Sequence, residues 1–293
     1  MRINPISDNR YQTSFQKGLT QGFVQKANKL GYKKMKNLAK AKGIETVLFD
    51  GKLSVAASCL TAAEIMQSFG LRLPRMFSFE ALEDGTTGMY TYPLDVARIN
   101  SNLSYFKDFD SQDSFESERL NSPITKHFLH TYIHEFMHAA HYKNLSTLHG
   151  ADEIFDIAGV LKGYVPTKDI IRPQRIDNIC YGSDLFWNGS ALGNYASASL
   201  VEFFVENASY EIAMHLVKDK NALGENSGDN VFFNPKSKEP LTLSFLEDKK
   251  DSWWDRIFNK REVVRRNLLK AIWDGDIDTI LITYGEYIRP KKD

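Results

Sequence analysis

The residues best suited to chemistry are His134-Glu135-Phe136-Met137-His138, an HExxH run. Four residues at 100° each return a helix to nearly the same face, so imidazoles spaced this way can reach one ion. Glu135 leans away from that pair, where a carboxylate can hydrogen-bond a water on the ion and act as general base. Zinc in such a site brings that water's pKa towards neutrality and polarises a scissile carbonyl, so the chemistry indicated is hydrolysis near pH 7. With seven histidines in 293 residues, an accidental match is expected about once in a hundred such chains. Five of the seven share one predicted helix: His127, His130, His134, His138 and His141 form a single stripe. A polar helix face would look the same, but Ile133, Phe136, Met137 and Ala140 supply an apolar flank that buries the helix. His127, His130 and His141 are read as surface groups or as surroundings of the ligands.

A catalytic zinc needs a third protein ligand and an open fourth position. The extension HExxHxxGxxH is absent, since His141 stands at its glycine and Asn144 at its last histidine. Two candidates remain. Glu202, in Tyr195-Ala-Ser-Ala-Ser-Leu-Val-Glu202-Phe-Phe-Val-Glu206, lies on a later predicted helix and would complete a His₂Glu set. Glu206, one turn on, would share its face and could orient an imidazole. The other candidate is His149 in Leu148-His149-Gly150. Each has a plain structural reading as well. Ser199 and Glu202 satisfy the S-x-x-E of a capping box, and His149-Gly150 suits a loop between helices. Spacing leaves the pair undecided.

The elements that must position these groups read as a mixture of helices and strands. Thr46 to Phe49 is a short strand stopped by Asp50-Gly51. Ser54 to Phe69 is a buried helix ended by Gly70. Leu71 to Phe79 is extended, and Gly88 to Pro93 and Asp95 to Asn100 are two further strands. The last of these precedes the HExxH helix, where an edge strand could take up an extended peptide by backbone pairing. Ser122-Pro123 starts the HExxH helix, as N-cap and N1, and it runs to about Leu145. Further helices are expected over Ala151–Leu161, from Ser197 or Ser199 to Val217, and from Ser252 to Trp273. Residues 163–196 read as irregular.

Composition excludes several classes. At 42% apolar and 25% charged the chain is an ordinary globular one. Lysine plus arginine (37) equals aspartate plus glutamate (37), so net charge argues for neither a nucleic-acid coat nor a membrane-binding polycation. Charge is segregated, though. Residues 1–42 carry ten basic groups against Asp8 alone, a basic N-terminal arm (1–44) that could serve an acidic partner. Two cysteines, Cys59 and Cys180, allow neither a disulfide scaffold nor a CxxC knuckle. No stretch reaches the ~18–20 apolar residues of a membrane span, and the N-terminus lacks a secretory h-region. The default is a reduced, cytoplasmic setting, with export by a signal-less route left open. Neither oligomeric state nor cleavage specificity is legible.

Tyr195, with Glu202 seven residues later and the run Glu202-Phe-Phe-x-Glu206, resembles the third-ligand segment of the anthrax lethal factor-like metallopeptidases. Together with the HExxH helix, the resemblance covers about residues 85–217. It implies His134, His138 and Glu202 as zinc ligands, Glu135 as base and Tyr195 as donor to the developing oxyanion. A second set of residues, HEFMHAAHYK (134–143) followed by His149-Gly150, is similar to the SprT-like proteases of DNA–protein crosslinks. That likeness implies His149 as third ligand and DNA contact through the basic arm, although no zinc ribbon is present. The expectation adopted is an α+β, zincin-like metallopeptidase domain over residues 45–293, with a small mixed sheet and C-terminal helices. Its substrate would be a protein or peptide. A non-catalytic zinc-binding interaction protein on the same scaffold is the rival from another class.

Overall fold

Strand β1 (Thr46–Leu48) is a run of β-formers stopped by Asp50, whose φ of 51° turns the chain out of the extended region. The computed structural model describes residues 12–50, 52–84, 86–102, 123–155, 199–218, 230–235, 241–247, 252–253 and 260–288. Four strands and seven α-helices fall among them, an α+β arrangement. They belong to two compact units, residues 1–140 with 213–241, and residues 141–212 with 242–293.

In the first unit, α1 (Gln12–Ala41) lies against α2 (Leu53–Ser68). Gly31, at φ 68° and ψ 161°, interrupts the helical dihedrals of α1, as a glycine can. Ala27, Met35 and Ala39 of α1 are buried, while Lys29, Lys33, Lys34 and Lys40 face outward. Helix α2 is apolar on nearly every side, and from Val55 to Met66 all but Ser58 are buried. Gly70, at φ 66°, closes it through its N–H to the Gln67 carbonyl.

The sheet adds β2 (Met76–Glu80), β3 (Gly88–Thr91) and β4 (Val96–Asn100) in the order β1-β2-β4-β3. The first three in that order run parallel, and β3 pairs antiparallel with β4, so the sheet is mixed. The strand at 95–100, expected at an edge, is therefore interior: β4 pairs with β2 from Met76↔Val96 to Glu80↔Asn100 and with β3 on its other side. Among the described residues β3 holds that edge. Two hydrogen-bonding neighbours claim β4, and an alternation pattern cannot count neighbours.

Helix α3 (Pro123–Ala140) packs on α2 and on strands β3 and β4. Its Tyr132 and Phe136 rings meet Phe77 of β2 at 5.4 and 6.2 Å between centroids, and Phe77 continues to Phe49 at 5.6 Å. All four rings are almost fully buried. Truncating Phe77 to alanine would cost about 3–5 kcal/mol. This aromatic column anchors one face of α3 and so determines where the other face looks.

The single helix expected to run from Ser122 to about Leu145 is broken at His141, and α4 (Tyr142–Phe155) begins anew. In the second unit the His141 ring is buried, 4.4 Å from Phe204 and stacked on Trp273 at 5.6 Å, with Nε2 2.8 Å from the Ile272 carbonyl. That placement makes it a core histidine, which explains a break where no glycine or proline stands. Helix α5 (Leu200–Lys218) carries Phe204; α6 (Lys260–Asp274) and α7 (Ile277–Ile288) are joined by Gly275 at φ 71°, with Asp276 accepting from the Thr279 N–H at 3.0 Å as N-cap. Among the described residues no helix is long and apolar enough to cross a membrane.

Candidate metal centre

With Tyr132 and Phe136 turned to the core, the next face of α3 carries Thr131, Glu135 and His138 towards β3. The spacing i, i+4, i+7 puts all three on one stripe. His134, Glu135 and His138 are each less than 10% exposed, an unusual concentration of polar groups on a buried helix. The two imidazoles, one turn apart, direct Nε2 at each other across 3.3 Å, their rings 5.0 Å apart and inclined at 76°. Two nitrogens on one tetrahedral zinc, each about 2.0–2.1 Å from it, would stand about 3.3–3.4 Å apart. The spacing fits a shared ion; it also suits an N–H···N bond, so a third donor has to decide.

The candidate for that donor is Glu202. It sits in the first turn of α5, where a carboxylate is favoured by the helix dipole. Its own N–H donates to Ser199 Oγ at 3.0 Å, so the capping half of the S-x-x-E reading holds. One ligand atom each from His134, His138 and Glu202 lie within 4.8 Å of one another. Two imidazoles and a carboxylate so gathered can hold a metal ion. Glu206, one turn further along α5, is buried as well.

The other expected residues fall elsewhere. His149 is exposed on α4 and does not belong to the gathered group. Tyr195 lies outside the described residues, as do the side chains of His127 and His130.

Strand β3 contributes two residues that spacing alone did not single out. A Cβ on Gly88 would come within 2.6 Å of Glu135 Oε1, 2.9 Å of its Cγ and 2.9 Å of Thr131 Cγ2. The bare backbone of the edge strand is thus what makes room for the Glu135 carboxylate. Tyr90, two residues on, lies parallel to the His138 ring, 5.9 Å away and inclined by 9°. Burial, then a hydrogen bond to Asp95, pushes the Tyr90 hydroxyl well above its ordinary pKa, so it stays protonated. The period-2 alternation of Gly88 and Tyr90 was the available signal; what each strand face met was not.

Comparison with protein-family models, with curated proteins and with solved structures finds no match to this chain.

Proposed function

We propose that this chain is a zinc-dependent metallopeptidase of zincin-like architecture, related in plan to the lethal factor-like enzymes. The observation that carries the reading is the convergence of His134, His138 and Glu202 within 4.8 Å, with Glu135 beside the pair and against edge strand β3. His134 and His138 would hold the ion through Nε2, and Glu202 through a carboxylate oxygen. Bound there, zinc would supply Lewis acidity, lowering the pKa of a water towards neutrality and polarising the carbonyl under attack.

The remaining work belongs to the chain's own groups. Glu135, as a carboxylate, takes a proton from the attacking water and delivers it to the departing amide nitrogen, the two halves of general acid–base catalysis. Its enclosure under Gly88 limits the positions that carboxylate can adopt, which keeps it in line for both transfers. The edge of β3 offers backbone N–H and C=O groups to an extended peptide, so substrate would lie along Gly88–Thr91 with its scissile bond beside Glu135. Tyr195 is assigned the donor to the developing oxyanion, a role for a preorganised hydroxyl.

Glu135→Gln tests the assignment. The variant should bind zinc like the wild type and lose cleavage of a peptide library by roughly 10²–10⁴-fold. Full cleavage by Glu135→Gln would remove Glu135 as the base. A zinc-loaded wild type that cleaves no member of the library, nor any protein digest offered to it, would replace the enzyme by a non-catalytic zinc protein.

A further inference from the structure

We propose that Tyr90, held by Asp95 and Arg72, is the positioning residue that fixes the His138 imidazole for metal binding. The inference rests on the metal reading above and adds to it a second layer of residues. The Tyr90 ring lies parallel to that of His138, inclined by 9° with the centroids 5.9 Å apart. Its hydroxyl donates to Asp95 Oδ1 at 2.6 Å. Asp95 is 5% exposed and sits in the turn between β3 and β4 with φ 57°. Arg72 forks onto both carboxylate oxygens, Nη1 to Oδ1 at 3.2 Å and Nη2 to Oδ2. Nη1 of the same guanidinium also donates to the Ala139 carbonyl at 2.9 Å, one residue past His138.

These contacts close a loop from His138 through Tyr90, Asp95 and Arg72 to Ala139 and so back to the helix. One guanidinium ties together the turn that carries the tyrosine and the last helical turn that carries the histidine. It also sits where the C-terminal end of a helix attracts a cation. A planar fork onto a carboxylate is a geometry that lysine cannot reproduce. The parallel tyrosine restricts rotation of the imidazole, and that rotation is what would turn Nε2 away from its counterpart on His134. Holding a ligand ring in its bound orientation removes an ordering cost from binding, the usual work of groups behind metal ligands.

The test uses the full chain, with zinc affinity read by chelator competition and the site's geometry by the visible absorption of its cobalt form. Tyr90→Leu removes the ring and should weaken zinc by about 10–100-fold, with an altered cobalt spectrum. Tyr90→Phe keeps the ring but frees it from Asp95; the spectrum should stay near wild type and zinc affinity fall on the order of threefold to tenfold. A merely structural tyrosine would lower the melting temperature of every form equally and leave spectrum and affinity alone. Folded Tyr90→Leu with wild-type affinity and spectrum would overturn the inference. If that variant does not fold, unchanged affinity in both Tyr90→Phe and Asp95→Asn would overturn it. His138→Ala separates the two readings: if it binds zinc as the wild type does, the metal reading falls and this inference with it. Should His138→Ala lose zinc while the Tyr90 and Asp95 variants keep it, only this inference falls.

Discussion

Gly88→Ala is the smallest change that should disturb the Glu135 carboxylate, the proposed general base, without touching a proposed metal ligand. Gly88 has no positive φ, so its backbone would accept alanine; the obstacle is the neighbours. A methyl there meets Glu135 Oε1 at 2.6 Å, whereas ordinary contact begins at 3.4 Å, a shortfall of 0.8 Å. At Glu135 Cγ and Thr131 Cγ2, both at 2.9 Å, the shortfall is 0.5 Å. A flexible carboxylate could normally swing clear, but Glu135 is only 4% exposed. Thr131, being β-branched, has only two favoured χ1 rotamers on a helix. Overpacking of this kind costs about 1–3 kcal/mol of stability. Displacing a catalytic group by nearly 1 Å costs roughly tenfold to a hundredfold in rate. Denaturant melts, kcat/KM on the best peptide of a library, and zinc affinity should be measured on one preparation. The expected pattern is a lower midpoint, kcat/KM reduced within that range, and zinc affinity within about twofold of wild type, since no ligand is touched. Adding Thr131→Ser should recover part of the stability and little of the rate. Wild-type midpoint together with wild-type kcat/KM in Gly88→Ala would refute the claim that this glycine makes room for the Glu135 carboxylate.

Other predictions address the scaffold. Glu64 is fully buried on α2 and accepts the N–H groups of Val231, Phe232 and Phe233 at 2.6, 2.7 and 2.8 Å. Glu64→Ala removes the acceptor of three N–H groups and should cost about 3 kcal/mol in a denaturant melt; a loss under 1 kcal/mol would contradict it. Burial raises the pKa of Glu64 against the pull of those N–H bonds and of Lys42. A raised carboxyl stabilises the fold below its unfolded value of 4.5 and loses that contribution as pH rises through the folded value. Stability against pH should therefore show a falling component above 4.5 that Glu64→Gln abolishes. His141→Ala should cost about 3 kcal/mol by emptying an aromatic core site while leaving zinc content unchanged. His141→Phe should recover the packing but not the bond to the Ile272 carbonyl.

Much of the scaffold was legible because its signals are local. Asp50 and Gly70 punctuate β1 and α2 where φ turns positive, Ser199 caps α5 as its residue type suggests, and HExxH spacing alone brings two imidazoles to one side of α3. What escaped prediction depends on partners far along the chain. The break at His141 carries no breaker residue; it follows from Phe204 and Trp273 enclosing the ring. The interior position of β4 comes from parallel pairing with β2 across an intervening strand. Gly88 reads as a loosely formed strand residue until the Glu135 carboxylate is seen against it. Glu64, a lone acid in an apolar helix, was a visible anomaly, but its three N–H partners lie more than 160 residues away. Arg72, Asp95 and Tyr90 are ordinary as types, and only their contacts with one another, with His138 and with the Ala139 carbonyl suggest the role proposed for them.

Zinc per chain, measured after chelator stripping and reloading in wild type, His134→Ala, Glu202→Ala and His149→Ala, tests the metal centre most directly. Convergence of two imidazoles and one distant carboxylate predicts one zinc per chain in wild type and His149→Ala, and loss of tight binding in the other two. Full zinc retention in Glu202→Ala, with loss in His149→Ala, would contradict it.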